Sequence, residues 1–448
     1  MQGRFDRAVA LLHSFEFTES QKTFRDLERR DPQCAIAAWG VALAQTQRAG
    51  ANASAKLLAV GWAELQPWLA VKPGSPREQM YVNAVRAMYE GYDRLSGQER
   101  WDRYLSKMNS IGKQYPDDLN ASLFYALGLI WTAGSGQEGI DRRREALRIL
   151  MPIFAAHPND PGAAHYIIHA ADTPELASIG LPAARKYASI APDSPHALHM
   201  PSHIFGRLGY WHELIASNER SASVAAEWVA SGKDGRFDEL HALTYLEYGF
   251  LQLGKFDEAH AQISRIRDLM SGPGGDPWAE IDARILYDVQ TRNWRDGLLT
   301  QPPTGSPVKE NFDIYWVHAI AAAELGNSEF AKASLAQLSE SVAQHKAAND
   351  ILHLDLAQAT AAVAAAMGKS DEAVATLEEA VRFEQQHPVD YPNVLTPPSA
   401  ELLGTLLLKK NRPAEATHAF QTALELAPNT LHSIQGAKAA AISLHAVR

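Results

Sequence analysis

Residues 397–430 read PPSAELLGTLLLKKNRPAEATHAFQTALELAPNT, and this stretch decides the fold class. Small residues such as Gly404 and Ala416 let two antiparallel helices approach each other closely. Phe420 is placed to fill the gap toward the next helices, and Pro428 ends the second helix because proline cannot continue one. The stretch therefore predicts an antiparallel helix pair that stacks against similar neighbours.

The order of these residues is that of a tetratricopeptide repeat (TPR) of about 34 residues. The short turn between its two helices recurs upstream, and this recurrence indicates further pairs. Its copies are LGYWHEL near 208, LGKFDEA near 253, LGNSEFA near 325 and MGKSDEA near 367, with a weaker TRNWRDG near 291. Strand signals are nearly missing, since neither an Asn-Gly hairpin nor a sustained alternating run occurs. We therefore predict an all-α, TPR-like α-solenoid of about nine or ten helix pairs.

One domain is expected to span residues 1–448. Stretches rich in proline and glycine interrupt the helical pattern only locally, and SGPGGDPW at 271–278 is interpreted as a hinge. A histidine-rich site is predicted within residues 160–250. We place it on the concave face, where solenoids usually hold their ligands.

Composition and charge exclude several classes of function. Lysine and arginine number 42 against 52 aspartates and glutamates, for a net charge of -10. A general attraction to phosphate backbones is therefore absent, and we expect no nucleic acid partner. No window has the roughly 18 apolar residues of a membrane span. We expect a soluble protein, cytoplasmic as the sequence stands and periplasmic if a signal peptide has been removed.

Three aromatic residues and the single cysteine are expected to serve packing. We predict that Trp39, Trp211 and Tyr187 fill gaps between helices. Cys34 is expected to be a buried apolar residue rather than a nucleophile.

Histidines are concentrated in two short stretches, HYIIH and HALHMPSH. In each stretch their spacing places them on one helix face, at i and i+4 in the first and at i, i+3 and i+7 in the second. The residues are His165, His169, His196, His199 and His203. Positions 165 and 199 are one repeat period apart, as are 169 and 203. We therefore expect these imidazoles to lie side by side on neighbouring first helices.

Other residues extend this cluster. The next first helix aligns His241 with His196 and adds a sixth imidazole. Four residues are candidates to support the ligands or to move protons, namely Asp160, Asp172, Glu239 and Tyr245. Pro201 is predicted to lie inside a helix that starts at Pro195, kinking it and freeing the carbonyl of Ala197.

Three interpretations of the histidine pattern stay open. In the first, the imidazoles bind a divalent transition metal, for which nitrogen ligands suit zinc, iron or copper better than calcium or magnesium. In the second, they line a polar groove that holds a carboxylate or a peptide end. In the third, they only fill the core.

The favoured functional hypothesis is a solenoid whose histidine-lined metal site binds a small molecule or a peptide in its groove. One alternative is a metal-dependent enzyme, oxidative or hydrolytic, in which Asp172, Glu239 or Tyr245 transfers protons. Another is a metal-free scaffold that binds a protein partner. The sequence contains no P-loop, GxGxxG, GxSxG or HExxH motif, which excludes the common nucleotide-binding and hydrolase classes.

Longer blocks of the sequence resemble a bacterial family of TPR proteins with a histidine-rich HYxIHxxD and PHAxHMPSHIFxRLG block. The blocks are DPQCAIAAWGVALA at 31–44, HYIIHAAD at 165–172, GLPAARKYASIAPDSPHALHMPSHIFGRLGYW at 180–211 and ELLGTLLLKKNRPAEATHAFQTALELAPN at 401–429. The resemblance implies the α-solenoid fold and no settled activity, and members often carry export leaders. Relatives tend to show His-Pro-Gly where this chain has Asp160, Pro161 and Gly162. If that position is a ligand, the resemblance implies a carboxylate in place of an imidazole.

Overall fold

The computed structural model describes residues 1–47, 53–71, 74–271, 275–303, 311–345, 350–389 and 395–446. Within these ranges every regular element is a helix and no strand occurs. The chain is an all-α, TPR-like α-solenoid, as predicted. Its helices are α1 (Gln2–His13), α2 (Phe17–Arg30), α3 (Ala35–Gln47), α4 (Ala55–Leu65), α5 (Pro76–Tyr89), α6 (Gly97–Gln114), α7 (Leu119–Trp131), α8 (Gly136–Ala156), α9 (Pro161–Ala171), α10 (Ala177–Ile190), α11 (Pro195–His199), α12 (Pro201–Arg207), α13 (Trp211–Ala230), α14 (Arg236–Gln252), α15 (Phe256–Met270), α16 (Trp278–Thr291), α17 (Trp294–Gly297), α18 (Phe312–Glu324), α19 (Ser328–Gln344), α20 (Asp350–Ala366), α21 (Ser370–Gln386), α22 (Ser399–Lys409), α23 (Pro413–Leu426) and α24 (Leu431–Ala446), with a 3-10 helix at Gln66–Ala70.

The last complete repeat explains how the helix pairs pack. α22 and α23 lie against each other, and α23 also packs on α24. The ring of Phe420 is 1% exposed, and a Cβ atom at Gly404 or Gly436 would collide with it. Glycine at both positions therefore lets the helices on either side close on this aromatic ring.

The recurring turn ends its helix with a residue of positive φ. Gly254 and Gly326 have φ values of +70° and +77°, which glycine adopts without a steric penalty. Arg292 and Asn411 take the same place in two other turns, with φ values of +57° and +56°. The weak motif TRNWRDG is thus a genuine member of the turn series, with arginine in the glycine position.

The helices form two compact units. The first comprises Met1–Ile204 with Trp228–Asp234, and the second comprises Phe205–Glu227 with Gly235–Arg448. In the first unit, α1 packs on α2 and also reaches α9. In the second unit, buried residues of α16, α18, α19 and α20 surround Trp316, which is 1% exposed.

Individual expectations have different outcomes. Trp39, Trp211 and Tyr187 are all buried, which confirms their packing role. Cys34 is only partly buried, so the expectation of full burial was wrong. Burial still raises the pKa of its thiol, which weakens it as a nucleophile.

Two further expectations concern the hinge and the membrane. Part of the predicted hinge, 272–274, lies outside the described residues. None of the helices in the described ranges is long and apolar enough to cross a membrane.

Candidate metal centre

Helix α9 presents the first two histidines. Asp160 is its N-cap and accepts a hydrogen bond from the backbone N–H of Ala163 at 2.8 Å, and Pro161 follows at the first helical position, where its missing N–H costs nothing. Asp160 thus starts the helix in this structure, while any role as a ligand stays a prediction. His165 and His169 lie four residues apart on one face, and their Nε2 atoms are 3.1 Å apart.

The second stretch is two helices rather than one. Ser194 caps α11 by accepting from the N–H of Ala197 at 3.1 Å, and α11 ends at His199. Pro201 begins α12, so the prediction of a proline inside one continuous helix was wrong. The reason is that proline has no N–H to donate to the preceding turn, whereas the first turn of a new helix needs no such donor. His196 and His199 therefore belong to α11 and His203 to α12.

The first group that could hold a metal ion is formed by His165, His169 and His196. Nε2 of His165 lies 3.1 Å from Nε2 of His169 and 3.2 Å from Nε2 of His196. The repeat period predicted His199 beside His165, but His196 is the ring of the second stretch that joins this group. We call these three residues the histidine triad.

The protonation state of His165 follows from its other ring nitrogen. Nδ1 of His165 lies 2.6 Å from the backbone carbonyl oxygen of His13. A carbonyl only accepts, so Nδ1 carries the proton and Nε2 keeps a lone pair. A histidine that ligates a metal is commonly held in this way by a backbone carbonyl behind it.

The lone pair of His165 faces two nitrogens at hydrogen-bond distance, and one lone pair accepts one strong hydrogen bond. Hydrogen bonds among the three imidazoles therefore cannot all be strong. A cation between the three nitrogens would instead be attracted by each of them. Two ligands at 2.0–2.1 Å from a tetrahedral ion lie about 3.3–3.4 Å apart. The two separations from Nε2 of His165, 3.1 and 3.2 Å, are close to that value.

Burial keeps the imidazoles of His165 and His169 neutral. His165 is fully buried, and burial lowers the pKa of both His165 and His169 well below the usual value. The neighbouring imidazoles lower these pKa values further, because each proton added to the group repels the others. Neutral imidazoles offer the lone pairs that a metal requires.

Phe15 covers the triad, and nothing in the sequence pointed to it. Its ring centroid lies 4.4 Å from that of His165, 5.2 Å from that of His169 and 5.5 Å from that of His196. Its φ of +59° is unusual for a residue with a side chain. The ring of Tyr187 also stacks on that of His165, with ring centroids 5.0 Å apart. Aromatic rings from two different parts of the first unit thus pack against the triad.

His199 and His203 form a second group. Their Nε2 atoms are 3.0 Å apart, and Nδ1 of His203 donates to Oδ2 of Asp172 at 2.9 Å. Asp172 therefore orients His203, while its role as support for a metal ligand stays a prediction. Ser202 Oγ lies 3.4 Å from Nδ1 of His199. Each of these contacts pairs a donor with an acceptor. The assignment of His199 and His203 as metal ligands stays a prediction.

Three of the predicted residues lie in α14 of the second unit. The ring of His241 stacks on Phe237 at 5.8 Å and meets Tyr245 edge-on at 5.0 Å. Tyr245 is fully buried, and burial raises the pKa of Glu239. The assignment of His241 as a ligand and of Glu239 and Tyr245 as proton-transfer residues stays a prediction.

Comparisons with known proteins agree with the repeat. A family model described as tetratricopeptide repeat matches residues 398–430. The chain contains a TPR. The match confirms the repeat predicted at 397–430, while no curated protein matches the chain.

Several solved structures are similar to the chain in fold. The human IFIT1 dimer with m7Gppp-AAAA is 12% identical, with 95% of this chain and 94% of that chain covered and a TM-score of 0.44. Yeast Tom70 is 11% identical, with 98% and 89% covered and a TM-score of 0.31. The APC/C hetero-tetramer Cut9–Hcn1 is 10% identical, with 97% and 95% covered and a TM-score of 0.32.

Proposed function

We propose that this TPR-like solenoid binds a divalent transition metal through His165, His169 and His196. In this proposal the ion anchors a small molecule or a peptide end through its remaining coordination position. The observation that carries the proposal is the lone pair of His165, which the carbonyl of His13 directs toward the other two Nε2 atoms. Three imidazoles leave one position of a tetrahedral ion open.

The donor set supports zinc, iron or copper as the ion. All three ligand atoms are imidazole nitrogens, which bind these metals well and bind calcium or magnesium poorly. The aromatic rings of Phe15 and Tyr187 limit the access of water. A low local dielectric strengthens the interaction between a bound ion and an anionic group of a ligand, such as a carboxylate.

The open position also favours a second candidate function, a metal-dependent enzyme. Three histidines with one free position form a ligand set in which zinc lowers the pKa of a bound water and makes it a nucleophile. Asp172 lies behind His203 within the same unit. It is the carboxylate that we propose for proton transfer in that case.

Metal content is the first test. Protein purified without a polyhistidine tag is analysed by inductively coupled plasma mass spectrometry and titrated with cobalt(II), whose absorption reports coordination. We expect one equivalent in the triad. His196→Ala should weaken cobalt binding by more than about 100-fold, since even the loss of a group behind a ligand costs 10- to 100-fold.

The matched control is His418→Ala, because His418 is an exposed histidine of α23 in the second unit. It should leave cobalt affinity unchanged, and both variants should keep their helical circular dichroism. A protein without metal that takes up no cobalt would refute the proposal and leave the metal-free interaction scaffold.

Azide separates the anchor and the enzyme from a closed structural site. As a small anion it binds an open coordination position and shifts the cobalt spectrum. We expect such a shift in the wild-type protein, and an unchanged spectrum would show a saturated ion that neither holds a ligand nor activates water.

A further inference from the structure

The second unit contains a cavity of about 320 Å³ that none of the clustered histidines lines. Its walls come from α16, α18, α20 and α22, which are the first helices of four successive pairs, and from α24. Aliphatic residues form the apolar part of the wall, among them Ile320, Ala361, Ala365 and Leu402. Alanine side chains are too small to fill the space between these helices, so a cavity is left where larger residues would pack.

Glu401 brings a buried carboxylate to the wall of this cavity. The residue is 4% exposed, and its Oε2 accepts a hydrogen bond from Oγ of Ser433 at 2.7 Å. Its Oε1 has no partner among the described residues. This oxygen is open to the cavity, whereas the protein completely encloses both carboxylate oxygens of Glu247. A carboxylate without a cation beside it is costly to bury, so Oε1 of Glu401 indicates a missing donor.

His432, at the start of α24, supplies a second acceptor. Its Nε2 lies 2.5 Å from the backbone carbonyl oxygen of Gln290. A carbonyl only accepts, so Nε2 carries the proton and Nδ1 keeps a lone pair. Nδ1 has no partner in the described part of the chain and is also open to the cavity. The neighbouring Ser433 bonds to Glu401, so the two acceptors belong to the same part of the cavity.

The basic residues of the lining do not neutralise Glu401. Lys409 donates to both carboxylate oxygens of Glu324 at 2.9 and 2.8 Å, and Lys410 pairs with an aspartate of α21 at 2.9 Å. Lys409 follows Glu401 by eight residues on α22, which places it about 12 Å farther along the helix axis. Arg292 is exposed, so water and salt screen its charge. The enclosed part of the cavity therefore keeps the uncompensated charge of Glu401.

We propose that this cavity binds a small organic ammonium ion, a primary amine with an apolar body. An ammonium group has three donors and no acceptor. It can donate to Oε1 of Glu401 and to Nδ1 of His432 at the same time, and its charge neutralises the carboxylate. The apolar body would then pack against the alanine-rich wall. This proposal goes beyond the metal site, because it requires neither the histidine triad nor an ion.

The volume limits the size of the ligand. A cavity of about 150 Å³ holds benzene, so about 320 Å³ accommodates two fused rings with a short side chain. Tryptamine, an indole with an ethylammonium chain, has this size and is the probe.

The test is isothermal titration calorimetry of the full chain with tryptamine, with and without bound metal. We expect the same affinity in both states, since the triad does not line the cavity. Tryptophol has a hydroxyl in place of the ammonium group and should bind more than about tenfold more weakly, because hydrogen bonds to charged groups are the stronger ones. Indole-3-propionate has a carboxylate there and should not bind, because Glu401 would repel it.

Variants locate the site. Glu401→Gln removes the charge, keeps the shape and should weaken tryptamine binding by more than about tenfold. Glu247→Gln is the matched control, because Glu247 is also a buried carboxylate of this unit but does not line the cavity, and it should leave the affinity unchanged. Ala365→Phe places a ring in the apolar part and should abolish binding while the circular dichroism spectrum is retained.

Several results would overturn the proposal. They are no binding of tryptamine, equal binding of indole-3-propionate, and an unchanged affinity in Glu401→Gln or Ala365→Phe. Binding of tryptamine to the metal-loaded protein alone would place the amine on the ion instead of in this cavity and would overturn it as well.

Discussion

Phe15 offers a test of both the backbone and the metal site. It lies two residues beyond the end of α1, with a φ of +59°, and its ring covers the histidine triad. Phe15→Ala and Phe15→Gly both remove the ring. They differ only in how easily the backbone adopts a positive φ.

The structure predicts an unusual order of stability for these variants. Alanine in the left-handed region costs roughly 1–2 kcal/mol, whereas the greater freedom of glycine in the unfolded chain costs about 0.5–1 kcal/mol. The difference favours glycine, so Phe15→Gly should be more stable than Phe15→Ala by about 0.5–1 kcal/mol. Ala10→Gly at an exposed position inside α1 should instead destabilise the protein by about 0.5–1 kcal/mol.

The pH at which the protein releases cobalt(II) depends on the ring of Phe15. Both variants lack this ring, so they should release the ion at the same pH. Without Phe15, water reaches His165 and His169, and their lowered pKa values rise toward the usual histidine value. Protonation then competes with the metal at a higher pH. Both variants should release cobalt(II) at a higher pH than the wild-type protein does.

Hydrogen exchange of peptides from α1 and α2 measures the local free energy of opening, and cobalt absorption against pH measures metal release. A glycine variant less stable than the alanine variant would refute the left-handed conformation of Phe15. Wild-type pH dependence of cobalt release in both variants would refute its role as a cover.

Four further predictions concern stability. Burial raises the pKa of Asp282 to about 7 and that of Glu247 well above its usual value, so the folded second unit binds more protons than its unfolded chain and should lose protection from hydrogen exchange as the pH rises from about 4 to 7. The pH dependence that His165 contributes has the opposite sign, because its pKa is lowered in the folded state. The first unit should therefore lose protection from hydrogen exchange as the pH falls below 6.5, the usual histidine pKa. Phe420→Ala removes a fully packed ring and should destabilise the second unit by about 3–5 kcal/mol in denaturant unfolding. Arg292→Gly relieves a φ of +57° and should stabilise the protein by about 0.5–1 kcal/mol in thermal unfolding, after the entropic cost of glycine.

Three of these predictions have a matched control. Glu247→Gln should reduce the pH dependence of the second unit, and an identical dependence would exclude this carboxyl as its source. Phe330→Ala at a 41% exposed ring should cost much less than Phe420→Ala, whereas equal losses would contradict the packing role of Phe420. Ala336→Gly inside α19 should destabilise, in contrast to Arg292→Gly, and a loss of stability in Arg292→Gly would contradict its left-handed conformation.

Much of the fold could be predicted because its determinants are local. The turn residues Gly254 and Gly326 mark helix ends through their own backbone conformation. Phe420 and Gly404 lie only 16 residues apart, so a single repeat contains the aromatic ring and the small residue against which it packs. Such patterns survive in one stretch of sequence, which is why the repeat at 397–430 was recognisable.

The candidate site was predictable only in part. The helical period placed His165 and His169 on one face, and the structure agrees. The same reasoning chose His199 as the neighbour across the repeat, whereas the triad takes His196, which lies three residues earlier on the same helix α11. The repeat period aligns two neighbouring helices only to about one turn, so it cannot choose between two imidazoles three residues apart on one helix face.

The amino-acid sequence alone determined which residue types the chain brings to this region and which of them share a helix face, because 3.6 residues per turn is a local property of the backbone. Only the tertiary structure decided that the carbonyl of His13 sets the proton on His165 and that Phe15 covers the triad. Both contacts join residues about 150 positions apart in the chain. They depend on how α1 packs against α9, and that packing reflects the shape of the whole first unit rather than any short pattern.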